Sequence, residues 1–180
     1  MSEISNNNEY IPRAERRNKD GLTEKEFLEQ YNPGHYERPS VTVDMLLFGM
    51  SRDLKCLKVL LIKRNNHPYI DCYALPGGFV NITESAYTAA CRELEEETGY
   101  LPEDYNILYT PKYPFTVSPG YTQEKLYLYV VQLKNDSILP QNLKLDEGED
   151  LSGTWFNLEE VENISQDMKT ILALHLFKSL

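Results

Sequence analysis

Apolar and polar positions alternate along this chain in blocks that change period several times. Residues 40–48 and 56–64 are dense in Val, Leu, Ile and Phe, a composition that suits pleated strands. The segment Gly49-Met50-Ser51-Arg52-Asp53-Leu54-Lys55 between them reads as a hairpin connection. Residues 106–110 and 125–133 are also strand-like. In the second of these, Leu126, Leu128 and Val130 alternate with Tyr127, Tyr129 and Val131, so both faces are expected to be buried. A polar stretch, 134–150, precedes a short strand at 153–156, and an amphipathic helix at about 165–178 closes the chain.

Helical signals punctuate this strand pattern. Thr23-Glu24-Lys25-Glu26 has the form of a capping box, in which a Thr hydroxyl and a Glu carboxylate each satisfy one free backbone N–H, and it opens a short helix through Gln30 that Pro33-Gly34 stops. After a Pro76-Gly77-Gly78 loop, residues 83–98 form a second helix, ended by Gly99. Residues 1–20 are polar without either period and read as a flexible or partner-docked arm. The expected division is an arm with a short helix over 1–38 and one α/β domain over 39–180.

Composition narrows the function classes. The chain has 180 residues, 41% of them hydrophobic and 26% charged, which suits a single globular domain with its own core. Its net charge of -10 repels phosphate backbones and anionic lipid, so no nucleic-acid partner and no membrane partner is expected. No apolar run approaches the roughly 20 residues of a membrane helix, and the start lacks a signal-like apolar core, which makes the cytoplasm the expected compartment. Cys56, Cys72 and Cys91 are odd in number and widely spaced, suggesting neither a disulfide framework nor a zinc site. His35, His67 and His175 are scattered and receive no role.

The chemistry concentrates in the second helix. Glu93, Glu96 and Glu97 stand at i, i+3 and i+4, within about 100° of the helix circumference, so three anions share one face and repel one another. A divalent cation is the expected counterpart, and oxygen ligands without nearby His or Cys point to Mg²⁺ or Mn²⁺. Arg92, four residues before Glu96, can orient that carboxylate. The Gly77-Gly78 backbone has no Cβ to keep a ligand away, and a carbonyl there, as at Gly78, could add another metal ligand. Ala86 and Ala89 are expected to leave open space on the carboxylate face, with Tyr87, Ala90, Cys91 and Leu94 as the stripe anchoring the helix to the sheet. A Glu run alone usually marks a solvated face. Here Gly78, Glu84, Arg92, Glu93, Glu96, Glu97 and Gly99 hold one register, a coincidence on the order of 10⁻⁸ per starting point at average composition.

That register, G-x5-E-x7-R-E-U-x-E-E-x-G-U with U a bulky aliphatic residue, resembles the Nudix box; Leu94 fills the first U, and Tyr100 departs from the last. The resemblance implies an α/β/α sandwich with a mixed central sheet, extending from about residue 40 to 180. It implies hydrolysis of a nucleoside diphosphate linked to another moiety, with Glu93, Glu96 and Glu97 holding Mg²⁺. Ser118-Pro119-Gly120, followed by Thr122 and Glu124, is similar to the SPG segment of ADP-ribose pyrophosphatases, and Asp146-Glu147-Gly148-Glu149-Asp150 to their acidic loop. Together they imply cleavage of ADP-ribose to AMP and ribose 5-phosphate, with Glu149 or Glu147 as general base. Tyr113 and Phe115, with Pro119 and Gly120, are the candidate substrate-binding residues.

Two other readings stay open. One is a Nudix hydrolase of another nucleotide, such as an oxidised nucleoside triphosphate. The other is a non-catalytic ADP-ribose sensor like the Nudix-type repressors, against which stand the retained carboxylates, the charge and the roughly twenty residues after Leu158. A homodimer is expected from the family and from the otherwise unassigned N-terminal segment.

Overall fold

The computed structural model describes residues 12–31, 40–50, 56–118, 120, 122–134 and 151–180. Strands β1 (Val41–Met50), β2 (Leu57–Arg64), β3 (Tyr73–Ala74), β4 (Gly77–Phe79), β5 (Tyr105–Tyr109), β6 (Phe115–Thr116), β7 (Lys125–Leu133) and β8 (Leu151–Asn157) join one sheet. Its spine runs β3-β2-β1-β7-β5, with β4 on β1, β6 on β7 and β8 on β2. β1 and β7 pair in parallel and every other pair is antiparallel, so the sheet is mixed, as expected.

Alternation along β1 and β7 divides the interior into two layers. Val43, Met45, Leu47, Tyr129, Val131 and Leu133 face one cluster, where Ala89, Ala90 and Leu94 of helix α2 (Ala86–Thr98) seal them from water. Leu46, Phe48, Leu126, Leu128 and Val130 face the other, covered by Val161 of α3 (Leu158–Ile164) and by Ala173 and Leu174 of α4 (Met168–Phe177). Helices on both faces of one sheet make the α/β/α sandwich. Tyr100, the departure from the box, is buried beside Trp155 at a ring separation of 6.5 Å, where its bulk serves as core.

Several boundaries differ from expectation. Pro76-Gly77-Gly78 is not a free loop: Gly77 and Gly78 pair with Asp44 and Val43 in β4. Helix α2 starts at Ala86 rather than at 83, because the Ser85 hydroxyl accepts the Thr88 N–H as N-cap while Glu84 turns back to the Asn81 N–H. It does end at Gly99, which at φ 75° takes the left-handed conformation that glycine tolerates best. The strand expected at 153–156 extends over Leu151–Asn157 along β2, and α3, not foreseen, precedes a final helix that is shorter than 165–178.

The N-terminal segment also has a definite seat. Helix α1 (Glu24–Gln30) carries the expected capping box on Thr23 and Glu26. Residues 16–27 dock against the same chain: Arg16 pairs with Asp71, Asn18 bonds Asn66 at 2.7 Å, and the Leu22 carbonyl meets His67 Nε2 at 3.1 Å. The described part of the arm is therefore partnered from within. The stop at Pro33-Gly34 lies outside the described residues.

Candidate active site

The site is assembled where α2 crosses β4. Glu93 and Glu97 are 7% and 5% exposed, and the sheet edge beneath them explains how carboxylates are tolerated there. The Gly77 N–H donates to Glu97 Oε2 at 2.8 Å. At Gly78 a Cβ would stand 2.4 Å from Glu93 Oε1, so only glycine lets the strand come this close to that carboxylate. The two glycines thus shape the seats of two of the three clustered acids.

Arg92 supplies positive charge to the cluster. Its Nη1 donates to Glu93 and to Glu96, each at 2.9 Å, and its Nη2 to Glu84 at 2.8 Å and to the Phe79 carbonyl at 2.9 Å. The expected Arg92–Glu96 contact is present, and the guanidinium reaches two further acids beyond it. Hydrogen bonds from Arg92 hold the Glu84 carboxyl below its usual range, and the same contacts, Glu84 first, raise Arg92 further above neutrality. Among the described residues no three acidic, His or Cys side chains converge into a closed ligand set. Three like charges spread around a guanidinium in this way because it screens their repulsion.

The fit to a hard divalent cation rests on the donor chemistry. The Glu93 carboxylate lies against Gly78, Glu97 accepts the Gly77 N–H and Glu96 is held on Arg92, so the cluster's own side chains offer only oxygen donors. Ala89, expected to border open space, is instead fully buried against the sheet, and Ala86 packs on the same cluster, because the helix face next to the acids is drawn into the core. Ala90 and Leu94 anchor the helix as expected, and Tyr87, though half exposed, meets the Tyr129 ring of the sheet edge-on at 6.4 Å.

The remaining candidates are dispersed. Tyr113 is 71% exposed beside Lys112, Phe115 packs against the second core cluster, and Gly120 has open space around it. Pro119, Glu147 and Glu149 lie outside the described residues. A group absent from the sequence reading is joined to the acids through the glycine strand: Asp44, paired with Gly77 across the sheet, meets Lys169 Nζ at 3.1 Å, and Lys169 also meets Glu124 at 3.2 Å. Burial pushes the Asp44 carboxyl up to about 7 against the pull of Lys169. Its only sequence signal is a lone acid in an otherwise apolar strand.

A mixed sheet between helices, with an acidic helix clasped to a Gly-Gly strand, defines the Nudix class. Residues 38–175 match the NUDIX domain family, and the chain belongs to it. An ADP-ribose pyrophosphatase of Methanocaldococcus jannaschii is 40% identical over 87 residues, 48% of this chain and 47% of that protein. The ADPR responsive transcriptional repressor NtrR of Acinetobacter baylyi is 43% identical over 79 residues, 43% of this chain and 31% of the repressor. The chain spans less than half the length of these two curated relatives. Among solved structures, the NUDIX domain of Shewanella oneidensis NrtR complexed with ADP ribose is 25% identical with a TM-score of 0.60, over 88% of this chain and 98% of that one.

Proposed function

We propose that the protein is a Mg²⁺-dependent pyrophosphohydrolase that cleaves ADP-ribose to AMP and ribose 5-phosphate. The observation that carries this reading is the clasp of Gly77 and Gly78 on Glu97 and Glu93, which keeps hard oxygen donors beside an approachable backbone. Glu93, Glu96 and Glu97, with the Gly78 carbonyl, would hold the ion. When bound it supplies Lewis-acid charge for the diphosphate and lowers the pKa of a water. Arg92 keeps Glu93 and Glu96 oriented. Glu149, or Glu147, accepts the proton of the water that attacks one phosphorus as the bridging P–O bond breaks. Tyr113, Phe115, Pro119 and Gly120 are assigned to the substrate side, and the working unit is a homodimer.

Relatives bearing the names ADP-ribose pyrophosphatase and ADPR responsive repressor support the choice of ADP-ribose. The repressor relative, with the ADP ribose complex of the NrtR NUDIX domain, also favours a second reading, binding of ADP-ribose without cleavage. Product analysis across ADP-ribose, other ADP-sugars, dinucleotides and nucleoside triphosphates, with Mg²⁺ or Mn²⁺ and with Glu97→Gln, separates the two. The expected result is AMP release from ADP-ribose, lost at least 100-fold in the variant. Tight binding without turnover selects the sensor, and preferred pyrophosphate release from a triphosphate defeats ADP-ribose as substrate.

A further inference from the structure

We infer that the N-terminal segment is a clamp that sets the affinity for substrate, by holding residues 65–72 in a strained shape against a cavity whose lining runs into the active-site strand. Within this loop Tyr69 and Asp71 adopt φ of 64° and 65°, the left-handed region that L side chains rarely enter. Such conformations persist where surrounding contacts over-determine them, and here the arm makes many of those contacts. Arg16 grips the Asp71 carboxylate from one side while Lys63 Nζ holds it at 2.7 Å from the other. Glu24 Oε1 accepts the Tyr69 N–H at 3.2 Å, Asn18 bonds Asn66, and Leu22 and Phe27 cover His67. The arm thus touches residues along the whole loop.

The loop's other side faces a cavity of about 400 Å³. Tyr69, Cys72 and Tyr73 line it together with Gln166, Asp167 and Met168. Two routes connect it to the acids. The chain passes from Ala74 in the lining through the buried Leu75 into Pro76-Gly77-Gly78, and Lys169, next after Met168, pairs with Asp44 opposite Gly77. Tyrosine faces with amide and carboxylate groups suit a polar ring, and a ring joined to the diphosphate is what the proposed pyrophosphatase must accommodate. This assignment rests on that reading; the adenosine and ribose ends of the substrate are the two sources of such a ring.

The test uses the full chain, with Arg16→Ala and Asn18→Ala as perturbations and Arg16→Lys as the conservative rescue. Hydrogen exchange across 65–72 is followed with ADP-ribose, ADP or ribose 5-phosphate, alongside KM and kcat for ADP-ribose. In wild type, ADP-ribose and one of its two fragments should slow exchange in the loop, the effective fragment identifying the ring. Both alanine variants should exchange there at least tenfold faster and raise KM at least fivefold with kcat within twofold, and Arg16→Lys should recover part of each. Faster exchange with KM unchanged would reduce the arm to a structural brace and overturn the inference, as would a wild-type loop that ADP-ribose leaves unprotected while being bound or cleaved. Wild type that neither binds nor cleaves ADP-ribose overturns the pyrophosphatase reading itself and the cavity's assignment with it, a failure visible before any variant is made. Should wild type bind without turnover, Kd replaces KM and the same fivefold change is required.

Discussion

Substituting alanine at each of two adjacent glycines should injure the protein in opposite ways. At Gly78 the new methyl group would sit 2.4–2.6 Å from the Glu93 carboxylate atoms, against ordinary contacts near 3.5 Å, so the carboxylate must retreat by roughly 1 Å. The obstructing atoms are the far end of a flexible side chain, so the backbone keeps its course and the loss of stability stays small. A displacement of that size at a reacting centre costs about 10²-fold in rate, or about 2.7 kcal/mol of transition-state stabilisation. At Gly77 the same methyl group would meet the Val43 carbonyl oxygen at 2.1 Å and Asp44 Cα at 2.7 Å, main-chain atoms that cannot turn aside. There the pairing of β4 with β1 must open, and a loss of about 1–3 kcal/mol in folding stability is expected with activity falling alongside. Urea unfolding monitored by circular dichroism, steady-state AMP release and Mn²⁺ binding by paramagnetic resonance measure the three quantities. A Gly78→Ala protein retaining more than a third of wild-type kcat/KM and its Mn²⁺ affinity would refute the argument that the strand was brought close in order to seat Glu93.

Other outcomes can be checked in parallel. Arg92→Lys keeps a positive charge but loses the planar fork that reaches Glu84, Glu93 and Glu96 together, so kcat should fall at least tenfold while far-ultraviolet dichroism is unchanged. Leu94→Ala empties a fully buried site between α2 and the sheet and should cost about 2–5 kcal/mol in urea unfolding, with the box carboxylates untouched. Hydrogen bonding from Lys63, with Arg16 beside it, holds the Asp71 carboxyl below its ordinary value. Its contribution is therefore present above the unfolded carboxyl range near pH 4 and is lost as pH falls through the lower folded value. Proteolysis of residues 12–31 should accelerate below about pH 4 in wild type, and Asp71→Asn should bring that acceleration to neutral pH; equal cleavage of both proteins at pH 7 would contradict the pairing.

What was legible in the residues themselves follows from locality. The register of Gly78, Glu84, Arg92, Glu93, Glu96 and Glu97 lies within one turn-and-helix unit, so its spacing alone implied a shared face. Gly99 and the alternation through β7 were readable for the same reason: a φ preference and a two-residue period need no distant partner. The burial of Ala89 and the pairing of Gly77 with Asp44 depend on elements far along the chain, and no local period encodes them. Helix α3 was missed because its seven residues span barely two turns, although Asn157 followed by Glu160 offered an end signal that the structure uses through the Asn157 N–H. The ion group of Asp44, Lys169 and Glu124 brings together three distant segments, and charges that meet only after folding leave no mark on spacing.

The parallel seam at the middle of the sheet has a kinetic corollary. Val41 registers with Lys125, so about 80 residues must be gathered before the first rung of that ladder closes, and no tight turn can shorten the route. Local hairpins and the acidic helix can form early, but the ledge on which they are mounted comes into being only when the chain's two ends of this span meet. Lesions that slow this meeting should therefore lower the yield of competent molecules at synthesis while leaving those already matured as active as before.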